Sequence, residues 1–191
     1  MTRTITIAST LAVAAPLAAQ DDYRLYFEID DPTLRPGEST AVTLWATWTD
    51  YALAYVGGDV EVSTGLDGLT DLSIVPPYDG PGTLAGDPTD AGIEGYLVGQ
   101  LNFPPAGWTP PPAPGAYLSW TYTAPDDVPA AFDVDLRTAT TRFDVYLDRS
   151  DPVGASRLDL LEEASATIRV VPAPTPLVVI GAAVLAVRRR R

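Results

Sequence analysis

Short segments in which apolar residues occupy every second position recur along most of the chain. In residues 23–29 the apolar side chains of Leu25, Phe27 and Ile29 fall on one side of such a pattern. Residues 41–48 repeat the pattern over a longer stretch. Because successive side chains of a strand point to opposite faces of a sheet, a period of two indicates strands with one buried face.

Further segments of this kind are residues 59–62, 93–103, 116–123, 131–137, 142–148 and 165–171, with glycine, proline and aspartate frequent between them. We expect residues 138–141 to connect two strands. The proline-rich residues 104–114 should form a surface loop, since proline donates no hydrogen bond to a ladder. A helix is indicated only in residues 157–163, and it is short enough to be a single turn. Eight or nine strands with almost no helix predict an all-β fold, an antiparallel two-sheet β-sandwich.

The order of these segments resembles a known architecture. One early strand, the Pro36-Gly37 turn, a long apolar strand and a glycine-rich central part look like the sandwich of cohesins and carbohydrate-binding modules. An immunoglobulin-like sandwich is the alternative. This resemblance implies a fold only, because one fold hosts many functions.

The chain of 191 residues contains no cysteine, no histidine and no lysine. Without cysteine there is no disulfide framework and no thiolate metal site. Without histidine or lysine, a serine nucleophile would have no ordinary base. Two carboxylates could serve a glycosidase, but the twenty-five acidic residues single out no pair. We therefore expect a non-catalytic domain of about 150 residues, which is long enough to bury a core.

Acidic residues dominate the middle of the chain. All twenty-five aspartates and glutamates lie in residues 21–163, whereas residues 20–170 hold seven of the twelve arginines. This charge would repel phosphate backbones, so we expect no nucleic-acid partner. It also disfavours contact between the body of the domain and anionic lipid.

Residues 1–19 have the features of a secretory signal peptide. Arg3 precedes an apolar stretch over residues 5–17, and Ala18 and Ala19 offer small residues for cleavage before Gln20. A retained N-terminal anchor is the alternative. The sequence therefore predicts export of an acidic domain that spans residues 20–170.

The C-terminal segment, residues 171–191, joins three features in a fixed order. Pro172 and Pro174 end the preceding strand, residues 177–187 form an uncharged apolar run, and four arginines close the chain. Such a run can form a helix with all its backbone hydrogen bonds internal, and the arginines would stay on the cytoplasmic side. At about 1.5 Å per residue it would cover roughly 17 Å of a hydrocarbon core about 30 Å thick. We expect a marginal span; an ordinary tail anchor and a disordered apolar end are the alternatives.

This tail resembles the PEP-CTERM sorting signal of bacterial surface proteins. The residues that carry the resemblance are Val171, Pro172, Pro174, the apolar run through Gly181, and Arg188, Arg189, Arg190 and Arg191. Ala173 stands where that family typically carries glutamate. The resemblance implies processing near Pro174 by an exosortase-like enzyme, a membrane cysteine transpeptidase. It implies three partners: the membrane, through the C-terminal helix, the processing enzyme, and an exopolysaccharide of the cell surface or extracellular matrix.

Pairs of aspartates such as Asp30-Asp31 and Asp126-Asp127 lie at predicted strand ends. Loop carboxylates are suitable ligands for calcium, and residues 67–71 and 87–90 contain aspartates at loosely similar spacing. None of these stretches has ligands at all the positions that a complete calcium-binding loop requires. Turn formation and capping explain the same residues without an ion. We expect no cofactor, with a structural calcium ion as the alternative.

Aromatic residues on loops or at outward strand positions are the main indication of a binding site. They are Trp45, Tyr51, Tyr55, Tyr78, Trp108 and Tyr117. Planar rings beside carboxylates can hold sugar rings. The alternative is that Trp45 and Tyr117 only fill an outer sheet face under the proline-rich loop.

The sequence thus predicts an exported protein of the cell surface or extracellular matrix with a non-catalytic sandwich. The alternative is a carbohydrate- or protein-binding adhesion module that uses acidic loops and exposed aromatics. The four aromatic residues that we expect to contact a ligand in that case are Trp45, Tyr55, Trp108 and Tyr117.

Overall fold

The computed structural model describes residues 22–63, 68–99, 109–150 and 154–173. Within these ranges the chain forms two packed β-sheets and one turn of 3-10 helix, Leu158–Leu160. The strands are β1 (Arg24–Ile29), β2 (Thr33–Leu34), β3 (Ser39–Thr47), β4 (Ala52–Val62), β5 (Leu69–Ile74), β6 (Asp87–Thr89), β7 (Gly92–Gly99), β8 (Gly115–Thr123), β9 (Phe132–Tyr146), β10 (Ala155–Ser156) and β11 (Ser165–Val170). The predicted all-β, two-sheet architecture is confirmed, and the helical turn lies inside the segment for which the sequence predicts one.

The two sheets differ in size and connectivity. The smaller sheet has the order β1-β3-β8-β5, and the larger has the order β2-β11-β9-β4-β7-β6, with β10 also paired to β9. All pairings between these strands are antiparallel except that of β11 with β2. The chain crosses between the sheets repeatedly, so neither sheet is built from one continuous stretch of sequence.

The alternating residues place an apolar layer between the sheets. Of the predicted inner residues of β1 and β3, Leu25, Val42 and Leu44 have at most 1 % of their surface exposed. Phe27 and Ile29 of β1 are partly buried against the same layer. In β11 the inner residues Ile168 and Val170 are fully buried as well. Burying each such side chain contributes about 1.5–3 kcal/mol, so this shared layer is the main source of stability.

The predicted connection at residues 138–141 is wrong, because these residues lie inside one long strand, β9. Gly57 pairs with Arg142 and Gly58 pairs with Thr140, which leaves Thr141 as an extra residue in the ladder. An extra residue reverses the alternation beyond it. Thr138 before it and Phe143 after it are therefore both buried, although five positions separate them.

Glu163, in the segment that precedes β11, forms hydrogen bonds with this irregular part of β9. Its carboxylate accepts hydrogen bonds from the Thr138 hydroxyl at 2.5 Å, and from the Thr140 backbone nitrogen and hydroxyl at 2.9 and 2.8 Å. Hydrogen bonds to an ionised acceptor are stronger than those between neutral groups. The carboxylate thus replaces ladder partners that the irregular pairing leaves unmatched.

The predicted exposure of Tyr117 and Tyr78 is also wrong. Tyr117 is fully buried because the pairing of β8 with β3 shifts between Leu44 and Trp45, which turns Tyr117 inwards. There its ring lies 5.9 Å from that of Tyr96 on the opposite sheet, and the two hydroxyls are 3.5 Å apart. Tyr78 is 1 % exposed, and its hydroxyl occupies the space beside Gly115 that a side chain would fill.

Several sequence predictions lie outside the described residues. They are the signal peptide over residues 1–19, the apolar run over residues 177–187, Trp108, Pro174 and the arginines Arg188, Arg189, Arg190 and Arg191. The start of the tail is described: the Val171 nitrogen donates to the Leu34 carbonyl oxygen at 2.8 Å, and Pro172 and Ala173 are exposed. In the part of the chain that the structure describes, no helix has the length and apolar character to cross a membrane.

The buried tyrosine pair makes stability sensitive to alkaline pH. Burial raises the pKa of Tyr96 to about 12 and that of Tyr117 well above its usual value. Unfolded tyrosine ionises near pH 10, so the stabilisation is fully present below about pH 10 and is lost as the pH rises towards 12. We expect Tyr96 to account for a loss of about 2–3 kcal/mol over this range, measured by urea unfolding at each pH.

A Tyr96→Phe variant is the control for this pH dependence, because it has no group to ionise at that position. It should lose less stability than the parent between pH 10 and pH 12. An equal loss in both proteins would show that Tyr96 is not responsible.

Candidate functional site

The aromatic residues that the sequence singles out do not form one site. Trp45 lies on the outer face of the smaller sheet, and Tyr55 lies on the outer face of the larger sheet. Tyr117 is buried between the sheets, and Trp108 lies outside the described residues. Because the two partly exposed rings stand on opposite faces of the sandwich, each must be considered with its own neighbours.

Tyr55 belongs to a flat area on strands β9, β4 and β7. We call this area the platform and define it by Tyr55, Gly57, Leu84, Leu97, Gly99 and Arg142. One row of the ladder pairs Arg142 with Gly57 and Gly57 with Leu97. The next row pairs Tyr55 with Gly99. Directly paired residues project from the same face, so the side chains of these rows are neighbours on the surface.

Two glycines allow neighbouring side chains to lie flat on the platform. A β-carbon at Gly57 would lie 2.9 Å from Leu97 Cδ1. One at Gly99 would collide with the Tyr55 ring and lie 2.5 Å from the Ala54 carbonyl oxygen. Leu97 and Tyr55 therefore occupy the space that side chains at positions 57 and 99 would fill.

Leu84 extends the apolar part of the platform beyond β7. Its backbone nitrogen donates to the Leu97 carbonyl oxygen at 2.7 Å, and that of Leu97 donates back to Leu84 at 2.9 Å. Leu84 is 59 % exposed, and its partner Leu97 is partly exposed. The two leucines form the apolar part of the platform.

Arg142 places a guanidinium group on the platform, where it forms an ion pair with Asp144. Its guanidinium carbon lies 4.2 Å from the centroid of the Tyr55 ring, and its Nε donates to Asp144 Oδ2 at 2.6 Å. The carboxylate and the ring together hold the guanidinium against the sheet. Tyrosine and arginine are the residue types that often dominate binding energy in protein interfaces.

A shallow acidic concavity adjoins the platform along β4. It has a volume of about 510 Å³ and is lined by four carboxylates, those of Asp59, Glu61, Asp87 and Glu94. Asp59 is positioned by the Gly95 backbone nitrogen, which donates to it at 2.8 Å. The outer face of the larger sheet thus changes from aromatic and apolar to acidic along one strand. A partner that covers both parts must present an apolar contact and basic groups.

Two of the described aspartates at the ends of strands make hydrogen bonds within turns. Within residues 22–63, 68–99, 109–150 and 154–173, no three acidic side chains come together in a way that could hold a metal ion. Asp31 accepts a hydrogen bond from the Thr33 backbone nitrogen at 2.9 Å, and Asp148 accepts one from that of Ser150 at 2.7 Å. These local contacts are typical of aspartate in turns. Asp67, one of the suggested calcium ligands, lies outside the described residues.

Sequence reasoning found Tyr55 but missed Arg142, Leu97 and Leu84. Leu84 stands in a stretch rich in glycine and proline with no alternation, and Leu97 stands in a segment interrupted by Gly95 and Gly99. The sequence offers one indication of Arg142: it precedes Phe143 in an alternating segment and is therefore expected on the outer face of a strand. Nothing in the sequence places that arginine over the Tyr55 ring, because the contact depends on the pairing of two distant strands.

Comparison with known proteins identifies the fold. No protein-family model matches the chain, and no curated protein matches its sequence. The seventh ScaB type I cohesin from Pseudobacteroides cellulosolvens superposes with a TM-score of 0.55 and 13 % identity, over 81 % of this chain and 95 % of that one. The type I cohesin–dockerin complex of OlpC and Doc435 from Clostridium thermocellum gives a TM-score of 0.52 and 12 % identity, over 83 % and 100 %.

A third similar structure is the cohesin module of a family 33 glycoside hydrolase from Clostridium perfringens, with a TM-score of 0.51 and 11 % identity over 81 % of this chain and 100 % of that one. The cohesin-like sandwich that the sequence suggested is therefore confirmed as a fold. At these identities the similarity establishes no shared function.

The glycines of the platform provide a test of its packing. A Gly99→Ala variant would place a methyl group against the Ala54 carbonyl oxygen and the Tyr55 ring. We expect it to lower the free energy of unfolding by about 1–3 kcal/mol, as overpacked sites do, in urea titrations followed by tryptophan fluorescence.

Gly80→Ala is the matched control, because the nearest atom to its new methyl group would be the Gly99 carbonyl oxygen at 3.9 Å. It should change the stability by less than about 0.5 kcal/mol. Similar losses from the two variants would contradict the packing described here.

Proposed function

We propose that this protein is an exported, non-catalytic interaction module that binds another protein through the outer face of its larger sheet. The observation that carries the proposal is the cohesin-like fold, shared over about four fifths of the chain. One of the similar structures, the OlpC cohesin, is in a complex with a dockerin. The absence of histidine and lysine from the chain agrees with a role in binding rather than catalysis.

The chemistry of the platform and the acidic concavity supports a protein partner of a particular kind. Leu84 and Leu97 offer an apolar contact, and Tyr55 carries a guanidinium on its ring. The carboxylates of Asp59 and Glu61 lie beside them on the same face. We expect the partner to bury apolar side chains on the platform and to place lysine or arginine over the concavity. Such complementary charges mainly raise the association rate and exclude acidic partners.

The ends of the chain support delivery to the cell envelope as a second part of this proposal. Residues 1–19 would direct export, and the PEP-CTERM-like tail would hold the protein in the membrane until an exosortase-like enzyme transfers it to the surface or to an exopolysaccharide matrix. The tail leaves the sandwich after β11, whose end pairs with the start of β9. Tyr55 lies nearer the opposite end of the sheet, since it pairs with Asp144 near the end of β9. A chain held by its tail would therefore present the platform away from the membrane.

Photo-crosslinking from Leu84 tests the proposed protein-binding surface. Leu84 and Leu160 are exposed to a similar degree, 59 % and 56 %, but Leu160 lies on the 3-10 turn and Leu84 lies beyond β7. With a photo-reactive amino acid at either position of the full chain, we expect protein adducts from Leu84 in the cells that produce it and several-fold fewer from Leu160.

Adding Arg142→Ala to the Leu84 probe should reduce the adduct at least fivefold, as expected when an interface arginine worth more than about 1 kcal/mol is removed. Equal adducts from Leu84 and Leu160 would refute the assignment of the surface. So would an adduct that Arg142→Ala leaves unchanged.

Mass spectrometry of the mature protein tests the proposed delivery. We expect the N-terminus at or near Gln20 and the C-terminus near Pro174. Replacing Arg188, Arg189, Arg190 and Arg191 with glutamine should leave the tail attached, because the charges that orient it are gone. Normal processing of that variant, or uncut protein in the cytosol of unmodified cells, would refute this part of the proposal.

A further inference from the structure

The central strands of the smaller sheet carry no charged residue on their outer face. The outward residues of its central strands, β3 and β8, are small or hydroxyl-bearing apart from one tryptophan, and they are Ser39, Ala41, Thr43, Trp45, Thr47, Ala116, Ser119, Thr121 and Thr123. In this sheet the charged residues stand on the flanking strands, Arg24 and Glu28 on β1 and Asp71 on β5. In a domain with so many carboxylates, an uncharged strip along β3 and β8 between charged edge strands is a distinct surface.

The hydroxyl groups of this face form rows across the strands. Thr43 pairs with Ser119, and Ser119 pairs with Ser73. Two contacts join hydroxyls of adjacent strands, Ser39 with Thr123 at 2.8 Å and Ser73 with Ser119 at 3.2 Å. Because neighbouring strands lie about 4.8 Å apart and alternate residues about 6.8 Å apart along a strand, the face presents a grid of donors and acceptors. The grid is irregular where the pairing of β8 shifts, between Leu44 and Trp45 on β3 and between Thr70 and Ser73 on β5.

A pair of aromatic rings borders this grid. Tyr26 and Trp45 are directly paired across β1 and β3, and their rings stack with centroids 6.1 Å apart and an angle of 9° between them. The guanidinium carbon of Arg24 lies 5.9 Å from the centroid of the Tyr26 ring. Both rings are partly exposed. The Tyr26–Trp45 pair thus offers planar aromatic rings next to the uncharged, hydroxyl-bearing residues of β3 and β8.

We propose that this face binds an extended, uncharged polysaccharide. The sugar rings would lie against the Tyr26–Trp45 stack, and their hydroxyls would exchange hydrogen bonds with Thr43, Ser119 and Thr121. The distribution of charge selects this class of ligand. The acidic domain repels anionic polymers. A basic peptide would find four clustered carboxylates in the concavity of the larger sheet, whereas here Glu28 and Asp71 stand apart on the edge strands.

This inference does not rest on the proposed protein-binding function, because it uses the opposite face of the sandwich. A protein could bind the platform while the smaller sheet holds a polymer. The result of the Leu84 crosslinking experiment and that of the polysaccharide experiment below can therefore differ, and each reports on its own face.

Affinity electrophoresis of the full chain, in native gels with a mild detergent, tests the proposal. The probes are hydroxyethyl cellulose and glucomannan, which are neutral, and alginate, which is anionic. We expect one or both neutral polymers to retard the protein and alginate to leave its mobility unchanged. No retardation by either neutral polymer would overturn the proposal, and so would equal retardation by alginate.

Two variants of the smaller sheet locate the binding face. Thr121→Glu adds a carboxylate beside Ala41 in the middle of the grid, away from the aromatic stack. We expect it to weaken retardation at least tenfold, judged from the polymer concentration that halves the mobility. Trp45→Ala removes the partly exposed ring and should weaken retardation severalfold.

Ser165→Glu is the matched control, because it adds the same charge to β11 of the larger sheet, where Ser165 is exposed and pairs with Arg137. It should behave as the parent does. Circular dichroism establishes that each variant is folded. Retardation that both folded smaller-sheet variants leave unchanged would overturn the proposal, as would an equal loss in the Ser165→Glu control.

Discussion

The pairing of β4 with β9 is the contact on which the rest of this sandwich depends. It runs from Ala52 opposite Tyr146 to Val62 opposite Leu136, and the other strands of the larger sheet join through one of these two. The ladder shifts between Leu53 and Tyr55, so that Leu53 is fully buried and Tyr55 faces outwards. Because an extra residue reverses the alternation, such shifts decide which side chains reach the surface. The platform is a consequence of this pairing and not a separate feature added to the sheet.

The same shifts mark the limit of what the sequence could predict. Strands β1, β3 and β11 were found because their alternation is unbroken, and unbroken alternation is local information. At Thr141 the alternation of apolar and polar residues is interrupted, and in the sequence this interruption looks like a loop. In the structure it is an irregularity within β9 opposite Gly57 and Gly58 of β4, about eighty residues earlier in the chain. Tyr117 was placed on the wrong face for the same reason. The candidate site was accessible only in part, since the sequence shows that Tyr55 is aromatic and outward but not that Arg142 covers it.

The two outer faces of the sandwich carry different types of side chain. The larger sheet carries the Tyr55–Arg142 contact and the carboxylates of Asp59 and Glu61, whereas the central strands of the smaller sheet carry hydroxyls and one stacked tryptophan. Both faces cover the same apolar layer, so stability places few demands on either. If both proposals hold, the domain would hold two chemically different partners on opposite faces.

The way in which the chain leaves the sandwich also bears on how the domain would act when tethered. The segment before the tail is fixed on both sides: β11 pairs with β9 over six residues, and its other edge is held by Arg169 and Val171, whose nitrogens donate to Pro32 and Leu34 at 2.8 Å. A pull on Val171 along the strand would load these hydrogen bonds together, in shear, instead of opening them one after another. A force through the tail would thus reach β9, and through it β4, without first detaching the last strand. If the tail anchors the protein as proposed, the mechanical path from the anchor leads directly into the strands that carry the platform.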